Sequence, residues 1–435
     1  MMMDRQSLEQ QVQQFFAELS ILRISGGLDV PTTISRLAQA KAYSSITSLS
    51  CYRVDFTDVV TPHVLELLRC RRHWEILDLR SCHGQVDLVV DTILTRCVVD
   101  RLCLTDLEDL PRDTAAALSR GLVVASNNCN KTFVSQLYLN IPFSVETLQS
   151  MQDGLSQTTT LKELDLSGSK WQDTSVTSFG NLLRQNTSIE KLKFKRCQLQ
   201  DLQIAELVQA LAFHLNLTSL DLEHNACSTL TLRSLATLLR QQEFHHHQLS
   251  CLILSHHVLS EDRVPGLLEF LESIGSPACR LQDLTMDQYM LMDDDMIMLT
   301  ESLQRSSSIA RLSLTTCGIT SRGIQSFAAS LADMQGLRHL AMPGDAAHQL
   351  FEGLADNVFL QSLEFPPEFQ NCPTEISYYL DLNRGGRRLL QEANVPRALW
   401  PLALARANQT KYIHGINRRA DAIYCLLRGR VLLER

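Results

Sequence analysis

The chain has 435 residues, of which 45% are hydrophobic and 20% charged, and its mean hydropathy is −0.05. No apolar run is long enough to cross a bilayer, so neither a membrane span nor a membrane partner is expected. The formal net charge is −8, unevenly spread: residues 371 to 435 carry eleven Lys/Arg against five Asp/Glu, which leaves a balance of −14 on residues 1 to 370. So acidic a body disfavours a nucleic-acid partner, because phosphate contact needs concentrated Lys and Arg.

The N-terminal run MMMDRQSLEQQVQQFFAEL places charge and glutamine where an export signal needs an apolar stretch, so a cytoplasmic location is expected, with the nucleus left open. The thirteen cysteines are scattered singly, without a CxxC pair. They suit reduced, mostly buried thiols better than a disulfide framework or a zinc cluster. Residues 1 to 18 are expected to form a capping helix, with Leu8, Val12, Phe15 and Phe16 at helical spacing.

From residue 19 a pattern L-x-x-L-x-L-x-x-C/N returns: LKELDLSGS at 161, IEKLKFKRC at 189, LTSLDLEHN at 217 and IARLSLTTC at 309. With weaker copies included, its second leucine falls at 22, 49, 77, 102, 137, 164, 192, 220, 252, 284, 312, 340 and 363, mostly 27 or 28 residues apart. Around each leucine apolar and polar residues alternate, the signature of a strand with one face buried. Further on, apolar residues stand 12, 15 and 19 positions after the leucine, as in Ile204, Leu207 and Leu211 or Leu232, Leu235 and Leu239, which is one stripe on a helix of about three turns. Neither half can bury its apolar side alone, so the units must stack.

The period, the LxxLxLxxC/N core and the long helix resemble the ribonuclease-inhibitor-like class of leucine-rich repeats, shared with Ran GTPase-activating proteins and the sensor regions of NOD-like receptors. The resemblance covers residues 19 to 370 and implies an α/β fold: a right-handed leucine-rich-repeat solenoid, or horseshoe, with a parallel sheet on the concave face, helices on the convex face and a helical C-terminal segment. It also implies that the Cys/Asn position turns inward and bonds loop backbone. Cys82, Cys197, Asn225 and Cys317 match that position, whereas Ser169, His257, Tyr289 and Asp345 depart from it and leave the loop geometry there less fixed.

Three steps are long, and their extra residues fall at Asn127 to Lys131, Gln241 to His247 and Ser273 to Arg280; all three loops are expected to project from one rim. The acidic run Asp293 to Asp295 suits a helix N-terminus, where carboxylates accept orphan amides. Residues 371 to 435 read as a basic helical segment, a cap or a docking module, with helices near 374 to 391, 396 to 408 and 418 to 433 and an arginine cluster at Arg384, Arg387 and Arg388.

No Walker A, HExxH, GxSxG or EF-hand pattern is present, so no catalytic residue, cofactor or metal is expected. A zinc site from His224 and His256 competes poorly with solvated rim histidines. The outward strand positions are polar: Glu163, Asp165 and Ser167, then Lys191, Lys193 and Lys195, then Ser219, Asp221 and Glu223. In-register stacking would set Lys193 between Asp165 and Asp221, Lys191 beside Glu163 and Lys195 beside Glu223. Such a ladder serves either itself or a partner. Asp283 and Asp287 extend the candidate surface, Tyr52 and Tyr138 offer aromatic anchors, and Trp171 lies past its strand, where it could belong to the core. The leading expectation is a non-enzymatic scaffold or receptor, monomeric alone, that binds a protein partner through the strand face and the rim loops. Two alternatives are a GTPase activator resembling the Ran type, whose long acidic tail is not matched here, and a substrate-receptor subunit of a ubiquitin ligase.

Overall fold

The computed structural model describes residues 21–26, 29–39, 45–107, 112–127, 133–241, 248–255, 265–366, 374–384 and 387–388. The expected N-terminal capping helix, the helices expected near 396 to 408 and 418 to 433, most of the first two insertions, His256 and His257 lie outside them. The chain divides into two compact units, residues 1–225 with 245–249 and residues 226–244 with 250–435. Both are leucine-rich-repeat α/β solenoids.

In the first unit, eight parallel strands put Leu22, Leu49, Leu77, Leu102, Leu137, Leu164, Leu192 and Leu220 directly opposite one another. Each of these leucines is at most 7% exposed. Between the strands run the helices Val30–Gln39, Val60–Cys70, Val86–Arg96, Arg112–Asn127, Val145–Gln157, Asp173–Gln185 and Asp201–Leu211. In the second unit, parallel strands put Leu252, Leu284, Leu312, Leu340 and Leu363 opposite one another. Its helices are Thr229–Arg240, Pro265–Ile274, Asp293–Arg305, Ser321–Ala329, Ala347–Asp356 and Thr374–Arg384. The helical stripe read from spacing is buried throughout, including Ile204, Leu207 and Leu211 in the first unit and Leu232, Leu235 and Leu239 in the second. Asp293–Arg305 begins on the acidic run as expected, and Asp295 Oδ2 accepts the Met292 amide at 3.0 Å.

In several repeats the turn that leaves the strand is fixed by one inward side chain. Five residues after the aligned leucine, it donates to the carbonyl two residues past the leucine of the preceding repeat. In the first unit Cys82 Sγ donates to Cys51 O at 3.4 Å, Cys197 Sγ to Leu166 O at 3.1 Å and Asn225 Nδ2 to Phe194 O at 2.7 Å. In the second, Cys317 Sγ donates to Met286 O at 3.3 Å. Burial pushes the thiols of Cys82 up to about 11 and of Cys197 and Cys317 up to about 12, so they keep the proton they donate. Ser169, which departs from the Cys/Asn pattern, makes the same bond: its Oγ donates to Leu139 O at 2.8 Å and accepts the Ile141 amide at 3.3 Å. A hydroxyl is a shorter but equivalent donor. Tyr289 fills the position differently, with its ring fully buried.

Four residues past the aligned leucine the chain adopts a left-handed conformation in repeat after repeat: Arg53, Ser81, Asp106, Arg196 and His224 in one unit, Gln288 and Thr316 in the other, with φ between 52° and 58°. Such a conformation costs a non-glycine residue about 1 kcal/mol. It lets that residue's N–H reach the next strand, as Arg196 N reaches Glu223 O at 2.9 Å and Gln288 N reaches Thr315 O at 2.8 Å.

The third insertion corrects its expectation. Ser273 closes the last turn of Pro265–Ile274, and Ala278 and Cys279 are buried, so this loop folds onto its own unit instead of projecting. At the far end of the second unit, Thr374–Arg384 buries Ile376, Leu380 and Leu382. Its Asn383 Nδ2 donates to Asn357 O at 3.0 Å and Leu360 O at 2.8 Å, which ties the helix to the last repeat.

Two outcomes are expected. Asn225→Ala removes donors and acceptors from a buried turn, since Oδ1 also accepts the amides of Cys197 and Leu199; urea unfolding of the full chain should show a loss of about 2–4 kcal/mol. Truncation after residue 370 uncovers the apolar surface that Ile376, Leu380 and Leu382 close, so the shortened chain should aggregate in sedimentation and light scattering. Soluble, monomeric, thermally unaltered protein would show that the segment is not a cap.

Candidate binding surface

The strands point alternate residues outward, so every repeat adds a short polar row to one face. In the first unit the register sets Glu163, Lys191 and Ser219 in one line and Asp165, Lys193 and Asp221 in the next. The ion pairs form, but not all as spacing suggests. Lys195 Nζ meets Glu223 Oε2 at 2.6 Å, as expected. Glu163 Oε1, however, takes Lys193 Nζ at 2.6 Å, and Asp165 stands 3.9 Å from the same ammonium. The flexible lysine stem spans the diagonal, and Lys193 sits lower on the face among several carboxylates. Burial would lower its pKa, but the hydrogen bond and charge of Glu163, with Asp165 and Asp221, hold it above its ordinary value. Among the described residues, the exposed Lys191 forms no ion pair.

Asp221 is the larger departure. It is only 8% exposed, and Oδ1 accepts its own chain's Glu223 amide at 2.9 Å. Asp165 braces Ser167 N in the same way at 3.0 Å. These two carboxylates shape the strand exit first and the surface second. Burial raises the pKa of Asp221 despite the Glu223 amide, and the charge of Glu223 adds to the rise.

Tyr138 is half-buried beside this row, its hydroxyl donating to Ser167 O at 3.4 Å. Burial, with the charge of Asp165, raises its pKa. Tyr52 is 41% exposed under the Arg53 guanidinium, 5.0 Å from the ring centroid. Trp171 belongs to the core: it stacks on Phe143 at 4.5 Å and meets Phe179 and Phe194 at 5.3 and 5.7 Å.

In the second unit Asp283 pairs with Arg311 at 2.7 Å, which raises the arginine's pKa through that hydrogen bond. Asp287 accepts both Ser313 Oγ at 2.6 Å and Thr315 N at 2.8 Å, and so bridges two repeats. The arginines of the C-terminal cluster are engaged within the unit. Arg384 pairs with Asp381. Arg387 donates to Leu354 O and Ala355 O at the end of Ala347–Asp356, where a cation also meets the helix dipole. Arg388 lies 5.6 Å from the Phe359 centroid. Among the described residues no group of three His, Cys, Asp or Glu could hold a metal ion, and no helix is long and apolar enough to cross a membrane. His224 lies 3.4 Å from Glu223 and from Arg196.

A pH dependence follows for Asp221. Its folded pKa is raised, so its contribution to stability is full below the ordinary value of 3.8 and is lost as pH rises through the folded pKa. Asp221→Asn keeps the acceptor oxygen and removes the ionisation. Urea midpoints should show the variant gaining on the wild type as pH rises from about 3.8 toward neutrality. A gap independent of pH would contradict this account.

No family model matches the chain, and no curated protein matches it. Among solved structures it is similar to actin-binding site 2 of leiomodin-1, at 16% identity over 35% of this chain and 89% of that one, with a TM-score of 0.29. It is similar to the C-terminal domain of tropomodulin from Caenorhabditis elegans, at 12% identity over 36% of this chain and 96% of that one, with a TM-score of 0.31. The longest of these three overlaps is with an internalin from Listeria monocytogenes, at 15% identity over 81% of this chain and 89% of that one, with a TM-score of 0.43.

Proposed function

We propose that the chain is a non-enzymatic protein-interaction module, and that the strand face of its first unit is the surface that meets a protein partner. The observation that carries this reading is the mutual bracing of the outward rows. Lys193 and Lys195 are held by Glu163 and Glu223, while Asp165 and Asp221 are held by backbone amides. Side chains ordered before a partner arrives lose less entropy on binding. Exposed ion pairs add little stability, so their value lies elsewhere. Lysines interleaved with carboxylates fit a protein surface of mixed charge better than a phosphate backbone, which asks for one sign.

Lys191 is the point to probe, because it is exposed and supports no ion pair of the fold among the described residues. Lys191→Glu should leave the thermal midpoint nearly unchanged. In quantitative affinity purification the variant should lose a defined set of proteins. Asp153→Lys, on the exposed side of the helix Val145–Gln157, should retain them. Identical protein sets for all three chains would remove the strand face from consideration.

A further inference from the structure

The strand face of the first unit carries other cations besides its lysine row. Arg80 stands three residues past Leu77 on the strand His73–Arg80, and Arg101 stands one residue before Leu102 on the neighbouring strand Val98–Thr105. Both side chains are exposed. The register sets Arg101 opposite Ile76 and Arg80 opposite Thr105, so the two arginines lie four residues apart along adjacent strands. Their backbone positions are therefore about 14 Å apart at the usual rise and strand spacing.

These arginines are held differently from the lysines. Arg80 Nε donates to Thr105 Oγ1 at 3.2 Å, and Arg101 Nε donates to Gln136 Oε1 at 2.8 Å. Both acceptors are neutral, and among the described residues neither guanidinium forms an ion pair. One N–H thus orients each plane and leaves the Nη edge, which can grip a carboxylate through two parallel hydrogen bonds. Lys193 and Lys195, by contrast, are closed by carboxylates of their own chain. Asp78 lies between the two arginines, but it is half-buried and its Oδ2 accepts Ser50 Oγ at 3.3 Å. Burial raises its pKa against the pull of Arg80. The carboxylates of Glu75 and Asp100, on alternate positions at the strand starts, are taken by Thr47 and His73. Apolar surface completes the patch: Ile76 is 39% exposed, and the half-buried Tyr138 stands opposite Cys103 on the next strand. Arginine beside tyrosine is the pairing that dominates protein interfaces.

We infer, on the reading that this strand face meets a protein partner, that Arg80 and Arg101 form its carboxylate-receiving site. The partner it fits presents two acidic side chains about 14 Å apart, with an apolar side chain between them laid against Ile76 and Tyr138. A nucleic acid fits poorly, because Asp78, Glu163 and Asp165 share the face.

The test uses the full chain and a fluorescein-labelled extended peptide with two glutamates four residues apart around a leucine, followed by anisotropy at low ionic strength. Saturable one-to-one binding is expected, weakened by added salt and about tenfold weaker for the matched glutamine peptide. Arg80→Glu and Arg101→Glu should each weaken it by about tenfold. Arg101→Lys should weaken it by about threefold, since an ammonium keeps the charge and lacks the fork. Lys191→Glu, three strands away, should leave it unchanged. If a charge reversal fails to reproduce the wild-type circular dichroism, Arg80→Gln and Arg101→Gln replace the pair and should still weaken binding. Equal binding of the two peptides, indifference to both charge reversals, or wild-type affinity in Arg101→Lys would overturn the proposal. Preference for a labelled oligothymidylate would overturn the choice of a protein ligand. If Lys191→Glu loses partners in affinity purification while the glutamate peptide never binds, the arginine site falls and the strand face stands. If neither Lys191→Glu nor the two reversals changes either readout, both readings fall.

Discussion

In the repeats that end their strands at Cys82, Ser169, Cys197, Asn225 and Cys317, the turn depends on one hydrogen bond, the inward donation from the end of a strand to a carbonyl of the repeat before it. Strand leucines alone define a buried face, but they do not say where the chain must turn away. The donors Cys82, Ser169, Cys197 and Asn225 do, because a buried carbonyl left without a partner costs more than a made hydrogen bond gains. Once this bond sets the exit, the preceding residue is held left-handed and the outward side chains take a common spacing. The three chemistries that serve are a thiol, a hydroxyl and an amide. Asparagine does most, since it accepts amides as well as donating.

The same turn explains why the charged rows are ordered. Asp165 and Asp221 occupy the outward face of a strand about to turn, where their own chain's amides come within reach. Their negative charge is thereby fixed low on the face, and the lysines of the intervening strand lean over it. The carboxylates that brace the turn are the ones that order the outward rows. The second unit repeats the principle with Asp287, which ties Ser313 and Thr315 across the repeat boundary.

Much of this was legible in the sequence because it is periodic. All thirteen leucines lie in strands, and the apolar stripe behind them is buried. The fold follows from hydrophobic spacing, which no single residue decides. The parts that were not legible are aperiodic or depend on side-chain reach. Nothing in the spacing shows that Glu163 prefers the diagonal Lys193 to Lys191, because lysine flexibility is invisible in a register. Ser169 looked like a break in the pattern when only its donor hydrogen mattered. Ribbons of two residues, such as Lys170–Trp171, are too short to show a period at all. Ala278 and Cys279 could have hinted that their loop turns inward, but two apolar residues in a short insertion are a weak signal. Arg387 read only as part of a basic cluster because the carbonyls it meets, at Leu354 and Ala355, lie more than thirty residues away in the chain.

The left-handed residues have a further consequence. Arg53, Ser81, Asp106, Arg196 and His224 share one backbone geometry and almost no side-chain chemistry: two guanidiniums, a hydroxyl, a carboxylate and an imidazole. The amides of Arg53, Ser81, Asp106 and Arg196 are committed to the neighbouring repeat, so it is the amide, not the side chain, that the architecture uses. Selection can therefore rewrite the rim one letter at a time, at regular intervals, while the frame that displays it stays put.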